Sequence, residues 1–202
     1  MGMVVFCDTE GWLQNPGTVG AMLPGVELKI LDDNRNELPV GEVGEIYAYF
    51  AGFTDFTYQN NGGEFHDNQH DGLFSGGDVG YVNERGYLFI SDRKRDMVIS
   101  GGVNIYPSEI EALIVTHPAV RDCAVFGIPD EEFGEALAAV VEPVSEGAIT
   151  PDEIQAFVRD HMASYKVPRL VQLDYAMPRE DSGKIRKRDL RQKYWEDAGR
   201  RI

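Results

Sequence analysis

At 202 residues the chain can bury one sizeable core or two modest ones, and its 43% hydrophobic and 26% charged content is ordinary for a globular protein. A formal net charge of −15 disfavours a general binder of nucleic acid or anionic membrane. No apolar run approaches the roughly 20 residues of a membrane helix, and the start, MGMVVFCDTEGW, lacks the basic-then-apolar pattern of a secretory signal.

Cys7 and Cys123 are the only cysteines and form no CxxC pair, which fits a reducing, cytoplasmic setting. Cys123, inside the apolar run CAVFGI, reads as a small buried core residue. Charge is spread unevenly. Residues 1–91 carry 14 acidic and 3 basic side chains, whereas residues 184–202 carry 3 acidic and 8 basic ones. That basic end suits a local polyphosphate.

The first part reads as β-rich. VELKIL and EIYAYF alternate apolar and polar residues between Pro/Gly/Asn/Asp turns, with Leu28, Ile30, Ile46 and Ala48 on one side. Residues 55–72 are polar and Gly/Asn-rich, an expected exposed loop. LFSGGDVGYVNERGYLFISDR predicts two strands around a turn at Asn83–Gly86. Hairpin spacing then stops at the charged run DRKRD, and helices are expected to begin. PSEIEALIVTH is helical by the spacing of Ile110, Leu113 and Ile114. DCAVFGIP and ALAAVVEP are strands. TPDEIQAFVRDHM is a helix with Thr150 as N-cap, Pro151 first and Glu153 completing a capping box. RLVQLDYA is a further strand, and IRKRDLRQKYWEDA a last helix. The fold class is α/β (α+β): a β-rich part, then a small α/β part.

Four motifs carry possible chemistry. In GGDVGY, glycines let Asp78 approach a ligand closely, and its carboxylate could accept both hydroxyls of a ribose. A turn aspartate serving local backbone bonds is the plainer reading on spacing alone. The run DRKRD is by itself a solvated charged surface. In SGGVNIYP, Gly101 and Gly102 permit the close backbone approach of a narrow tunnel, or simply make a β-turn. In PREDSGKIRK, a Ser-Gly turn presents Lys184, whose ammonium could neutralise charge on a phosphate.

Other patterns are set aside. GxxxxGK(S/T) is absent, and KIRKRDLRQK has no interleaved aromatic platform for nucleic acid. FHDNQHD, with His66, Asp67, His70 and Asp71, only superficially resembles a metal cluster, so no metal site is expected.

Taken together, GDVGYVNERGYLFISDRKRDMVISGGVNIYPSEIE and SGKIRK resemble the C-terminal signature of the adenylate-forming enzymes, the superfamily of acyl-CoA synthetases, adenylation domains and luciferases. The likeness runs from about Asn15 to the end. It implies that Asp78 and Arg93 grip the ribose of ATP, that Arg95 is a hinge, that Gly101 and Gly102 line the CoA channel, and that Lys184 is the catalytic lysine of adenylation. Gly76 stands where the family usually has Thr or Ser before Gly-Asp. Thr9 and Glu10 end a stretch like the family's Tyr-Gly-x-Thr-Glu motif, but lie too near PGTVG and stay out of the site.

By this resemblance residues 1–91 are the last, β-rich subdomain of an incomplete AMP-binding N-terminal domain, part of a distorted barrel, and 92–202 are the mobile C-terminal domain. The implied protein is an AMP-forming acid–thiol ligase, a carboxylate–CoA ligase using ATP, Mg²⁺ bound upstream of this chain, and coenzyme A. YWEDAGRRI is expected to be a natural end, and the family's Ser/Thr/Gly-rich phosphate loop is nowhere in the sequence. The chain alone is therefore expected to be inactive. Expected partners are a small carboxylic acid, with a loose likeness to fatty-acyl or bulky-acid ligases, and the N-terminal part of the same enzyme. A carrier-protein-loading adenylation domain and a non-catalytic binding or regulatory module remain open as alternatives.

Overall fold

The structure, a computed structural model, describes residues 4–50 and 69–197. Most of the loop expected over 55–72, with His66 and Asp67, lies outside the described residues, as do residues 198–202. The chain divides into two compact units, Met1–Arg95 and Asp96–Ile202.

The first unit is one antiparallel sheet with a short helix. Its strands are β1 (Val5–Phe6), β2 (Gly20–Met22), β3 (Val26–Leu31), β4 (Gly44–Phe50), β5 (Gln69–His70), β6 (Leu73–Val82) and β7 (Tyr87–Arg93). They run in the order β1-β2-β7-β6-β4-β3, with β5 beside β6. Helix α1 (Thr9–Gln14) is capped by the Asp8 side chain, which accepts the Gly11 N–H at 2.7 Å. Side chains alternate across the sheet. Ile30, Ile46 and Leu88, with Leu28, fill one face, and Leu31, Tyr47 and Leu73 the other. Register pairs Leu28 with Ala48 and Ile30 with Ile46.

The unit extends four residues beyond the 91/92 boundary read from sequence. Asp92 and Arg93 continue β7 as partners of Val79 and Asp78, so the ladder binds them to the first sheet. The 3₁₀ turn Lys94–Asp96 follows.

The second unit is built on a long hairpin, β10 (Val120–Asp130) with β11 (Gly134–Pro143), and β12 (Leu170–Leu173) lies parallel to β11. Helices α2 (Pro107–Ile114) and α3 (Pro151–His161) cover one face, where Ile110, Ile114, Ile154 and Val158 meet Val125, Leu137 and Val141. Helix α4 (Lys187–Asp197) and Met177 cover the other, against Ala124, Phe126, Ala138 and Val140. Burial on both faces is why these strands read as nearly continuous apolar runs. At α3 the Thr150 hydroxyl accepts the Glu153 N–H, and the Glu153 carboxylate accepts the Thr150 N–H at 2.8 Å. This capping box is the one spelled by the sequence.

The unit does not open on a helix. A two-stranded hairpin, β8 (Val98–Ser100) with β9 (Val103–Ile105), comes first. Its strands are too short for periodicity to show. Its two-residue turn needs positive φ at both central positions, and Gly101 (57°) and Gly102 (81°) supply it.

Two outcomes follow from this packing. Ile110 is fully buried between α2 and the hairpin, so Ile110→Ala should cost about 3 kcal/mol in urea unfolding followed by circular dichroism. Burial, reinforced by Glu111 and Asp122, pushes the Cys123 thiol far above the usual thiol range. A thiol reagent should therefore titrate Cys7 and spare Cys123 in the native chain, and reach both after unfolding.

Candidate functional site

In the first unit, Asp78 and Arg93 come from different strands yet are register partners across β6 and β7. The Arg93 Nε–H donates to Asp78 Oδ1 at 2.9 Å, with both side chains partly exposed. At such exposure the pair contributes about 0–1 kcal/mol to stability, so its value lies in orientation. A carboxylate acceptor beside a guanidinium donor, with open space nearby, suits a vicinal diol. Arg93, Lys94 and Arg95 line an open depression of about 340 Å³ together with Glu45, Gly76 and Gly77.

Behind the depression lies a network that the sequence did not reveal. Glu45 and Ser75 are buried. The Ser75 hydroxyl donates to Glu45 Oε1 at 2.6 Å and accepts the Gly77 N–H at 3.0 Å. Lys94 Nζ donates to Glu45 Oε2 at 2.8 Å and lies 3.2 Å from Asp33 Oδ1. The peptide one residue before Asp78 is thus fastened to a buried carboxylate. The hydroxyl missing at position 76 is present one residue earlier, on the inward face of β6. That adjacency is the only signal a sequence reading could have used.

In the second unit, Lys184 is exposed in a small loop. Arg179 and Ile185 form an antiparallel bridge at its neck, and Glu180 N–H donates to the Lys184 carbonyl at 2.8 Å. Gly183, with φ 86°, closes the turn by donating to the Glu180 carbonyl at 2.8 Å. Gly101 and Gly102 sit at the β8–β9 tip, where the Gly101 N–H donates to the Phe133 carbonyl at 2.9 Å. Ile99, Val103 and Phe133 are exposed around that tip, and the Arg169 guanidinium stacks 4.7 Å from the Phe133 ring centre. The same guanidinium donates to Asp130 Oδ2 at 2.7 Å, so the apolar rim is flanked by an ion pair.

The structure therefore brings Arg93 and Arg95 to one depression in the first unit, and Asp78 is joined to it through its pairing with Arg93. Gly101, Gly102 and Lys184 belong to the second. Thr9 and Glu10 serve α1, where Glu10 accepts from Gln14 at 3.1 Å. His70 pairs with Asp71 at 3.5 Å and meets the edge of Tyr47. Among the described residues no group of three or more His, Cys, Asp or Glu is set to hold a metal. Nor does any described helix have the length and apolarity to cross a membrane.

The family model of the AMP-binding enzyme C-terminal domain matches residues 109–184. The fatty acid–(acyl-carrier-protein) ligase ScoC of Streptomyces coeruleorubidus is 37% identical over 190 residues, 91% of this chain and 35% of that protein. A long-chain-fatty-acid–CoA ligase of Yersinia pestis is 33% identical over 175 residues, 87% of this chain and 31% of that protein. The o-succinylbenzoate CoA synthetase MenE of Bacillus subtilis, solved with its acyl-adenylate intermediate OSB-AMP, superposes with a TM-score of 0.84 at 28% identity, covering 94% of this chain and 38% of that one. The chain belongs to the adenylate-forming, AMP-binding superfamily. Within it, the match falls on the C-terminal third of acyl-CoA synthetases and ligases, and the chain spans only about a third of the length of these relatives.

The Glu45 network gives the first unit an alkaline limit. Burial, helped by the Glu45 charge, raises the Tyr47 hydroxyl above its ordinary 10.0. Burial works against the Lys94 ammonium, but its bonds to Glu45 and Asp33 prevail and raise it above 10.5. Both groups hold their protons more tightly folded than unfolded. Their contribution is complete below the ordinary values and is lost as pH rises through the raised ones. Urea midpoints of the first unit should therefore fall above pH 10, and less steeply in Tyr47→Phe.

Proposed function

We propose that this chain is the C-terminal portion of an ATP-dependent carboxylate–thiol ligase that works through an acyl-adenylate. Asp78 accepts the ribose hydroxyls of ATP while Arg93 donates beside it. The substrate carboxylate attacks the α-phosphate, the bond to pyrophosphate breaks, and the Lys184 ammonium offsets the charge that builds there. A thiol then attacks the acyl carbonyl and AMP leaves. Rotation about Arg95 exchanges the Lys184 loop for the Gly101–Gly102 hairpin between the two half-reactions. The first unit is read as the last subdomain of the AMP-binding N-terminal domain, part of a distorted barrel, and the second as the mobile C-terminal domain.

The observation that carries this reading is the Asp78–Arg93 pair. Two residues implied separately as ribose contacts are direct cross-strand partners, 2.9 Å apart. Coenzyme A is the proposed acceptor, through the apolar rim of the β8–β9 tip. A carrier protein is the second reading, favoured by the likeness to an acyl-carrier-protein ligase. The names of two relatives support a fatty acid as the acyl donor. The compartment is read as cytoplasmic, in keeping with two free cysteines. Mg²⁺ would stabilise the pyrophosphate charge, and its ligands are assigned to a part of the enzyme beyond this sequence.

In a full-length ligase that contains this segment, Lys184→Ala should lower acid-dependent ATP–pyrophosphate exchange by roughly 10²–10³-fold. Thioester formation from preformed acyl-adenylate should stay within a few-fold, and Asp78→Ala should raise the KM for ATP. Unchanged exchange in Lys184→Ala would overturn the reading in favour of a non-catalytic module. The 202-residue chain by itself should give no ATP- and thiol-dependent ligation; robust turnover by it would count against the proposal.

A further inference from the structure

Lys184 can act on a phosphate only if its backbone is held still, and little in its loop is buried. Residues 180–184 are all exposed. Backbone bonds close the loop on itself but do not fix it to the rest of the unit. One side chain does so. Arg179 Nη1 donates to the Gly183 carbonyl at 2.9 Å and to Asp122 Oδ2 at 2.7 Å, and Nη2 donates to Glu142 Oε2 at 2.7 Å. Asp122 and Glu142 are register partners on β10 and β11, and Glu142 is buried and also receives Arg121 at 3.0 Å. Two carboxylates opposite each other repel, so a guanidinium between them is held strongly. Its third bond ends on the peptide that joins Gly183 to Lys184.

Resting on the reading of Lys184 given above, we propose that Arg179 is a positioning residue for the adenylation step: its planar fork ties the Gly183 carbonyl to Asp122 and Glu142, and so sets where Lys184 begins. Charge neutralisation of the two carboxylates would need only a cation. Spanning three acceptors on two strands and a loop needs the fork, which a lysine ammonium does not provide.

The test has two arms. In the 202-residue chain, hydrogen exchange should quicken about tenfold or more at the Gly183 and Glu180 amides of Arg179→Gln, while Val125 and Val140 keep their protection. Unchanged rates at Gly183 and Glu180, or equal loss at all four amides, would overturn the proposal. In the full-length ligase, Arg179→Gln should lower the kcat of acid-dependent pyrophosphate exchange by roughly 10²-fold. The KM for ATP and thioester formation from preformed acyl-adenylate should stay within a few-fold, and Arg179→Lys should not restore the rate. In a Lys184→Ala background the same substitution should cause no further loss, because Arg179 acts through that lysine. An additive loss, an equal fall in both half-reactions, or no fall at all would refute the positioning role. Should Lys184→Ala alone leave exchange intact, the functional reading fails instead, and the amide exchange arm still decides whether Arg179 holds the loop.

Discussion

The second unit depends on one constraint: the β10–β11 ladder is buried on both faces at once. Alternate residues of each strand serve opposite layers, so a one-residue slip of register would exchange Val125 for Phe126 and send each to the wrong helix. The same register sets Asp122 opposite Glu142 at the edge where the lysine loop docks. It also carries the Phe133 turn, against which the glycine hairpin rests. The elements proposed for the two half-reactions thus hang from opposite ends of a single rigid hairpin, and neither is built on a free loop.

The first unit is organised around a buried carboxylate. A charge taken out of water is costly unless it is paired and hydrogen-bonded. Glu45 meets both conditions, through Lys94 and the Ser75 hydroxyl. Stability is a weak reason to keep such a group, since apolar packing of similar size often serves as well. What an apolar side chain would not do is fix the peptide before Asp78 and the residue after Arg93 together. The network reaches both ends of the Asp78–Arg93 pair from behind.

Much of the architecture was legible because it follows from local rules. The capping box at Thr150, the turn at Asn83–Gly86 and the strand alternation at Ile30 and Ile46 each depend on neighbours in sequence. The hairpin β8–β9 was not legible, because three-residue strands carry no period. Nor was the end of the first unit, since only pairing with β6 assigns Asp92 and Arg93 to it. Asp78, Arg93, Arg95, Gly101, Gly102 and Lys184 are candidates that rest on the motif resemblance, not on local rules. Glu45, Ser75 and Arg179 were missed for a physical reason: their partners lie 49, 30 and up to 57 positions away, and their types are common at surfaces.

The two hairpin glycines are not equivalent. Both have positive φ, so either would be strained by a side chain. A Cβ on Gly101 would also press to 2.9 Å from the Phe133 ring, whereas one on Gly102 would meet nothing within 4 Å. The tip therefore has a closed side and an open side. Gly101 is set against the protein's own aromatic ring, and Gly102 faces outward. A methyl group at Gly101 would have to displace the Phe133 ring as well as bear the backbone strain, whereas one at Gly102 would bear the strain alone and project into open space.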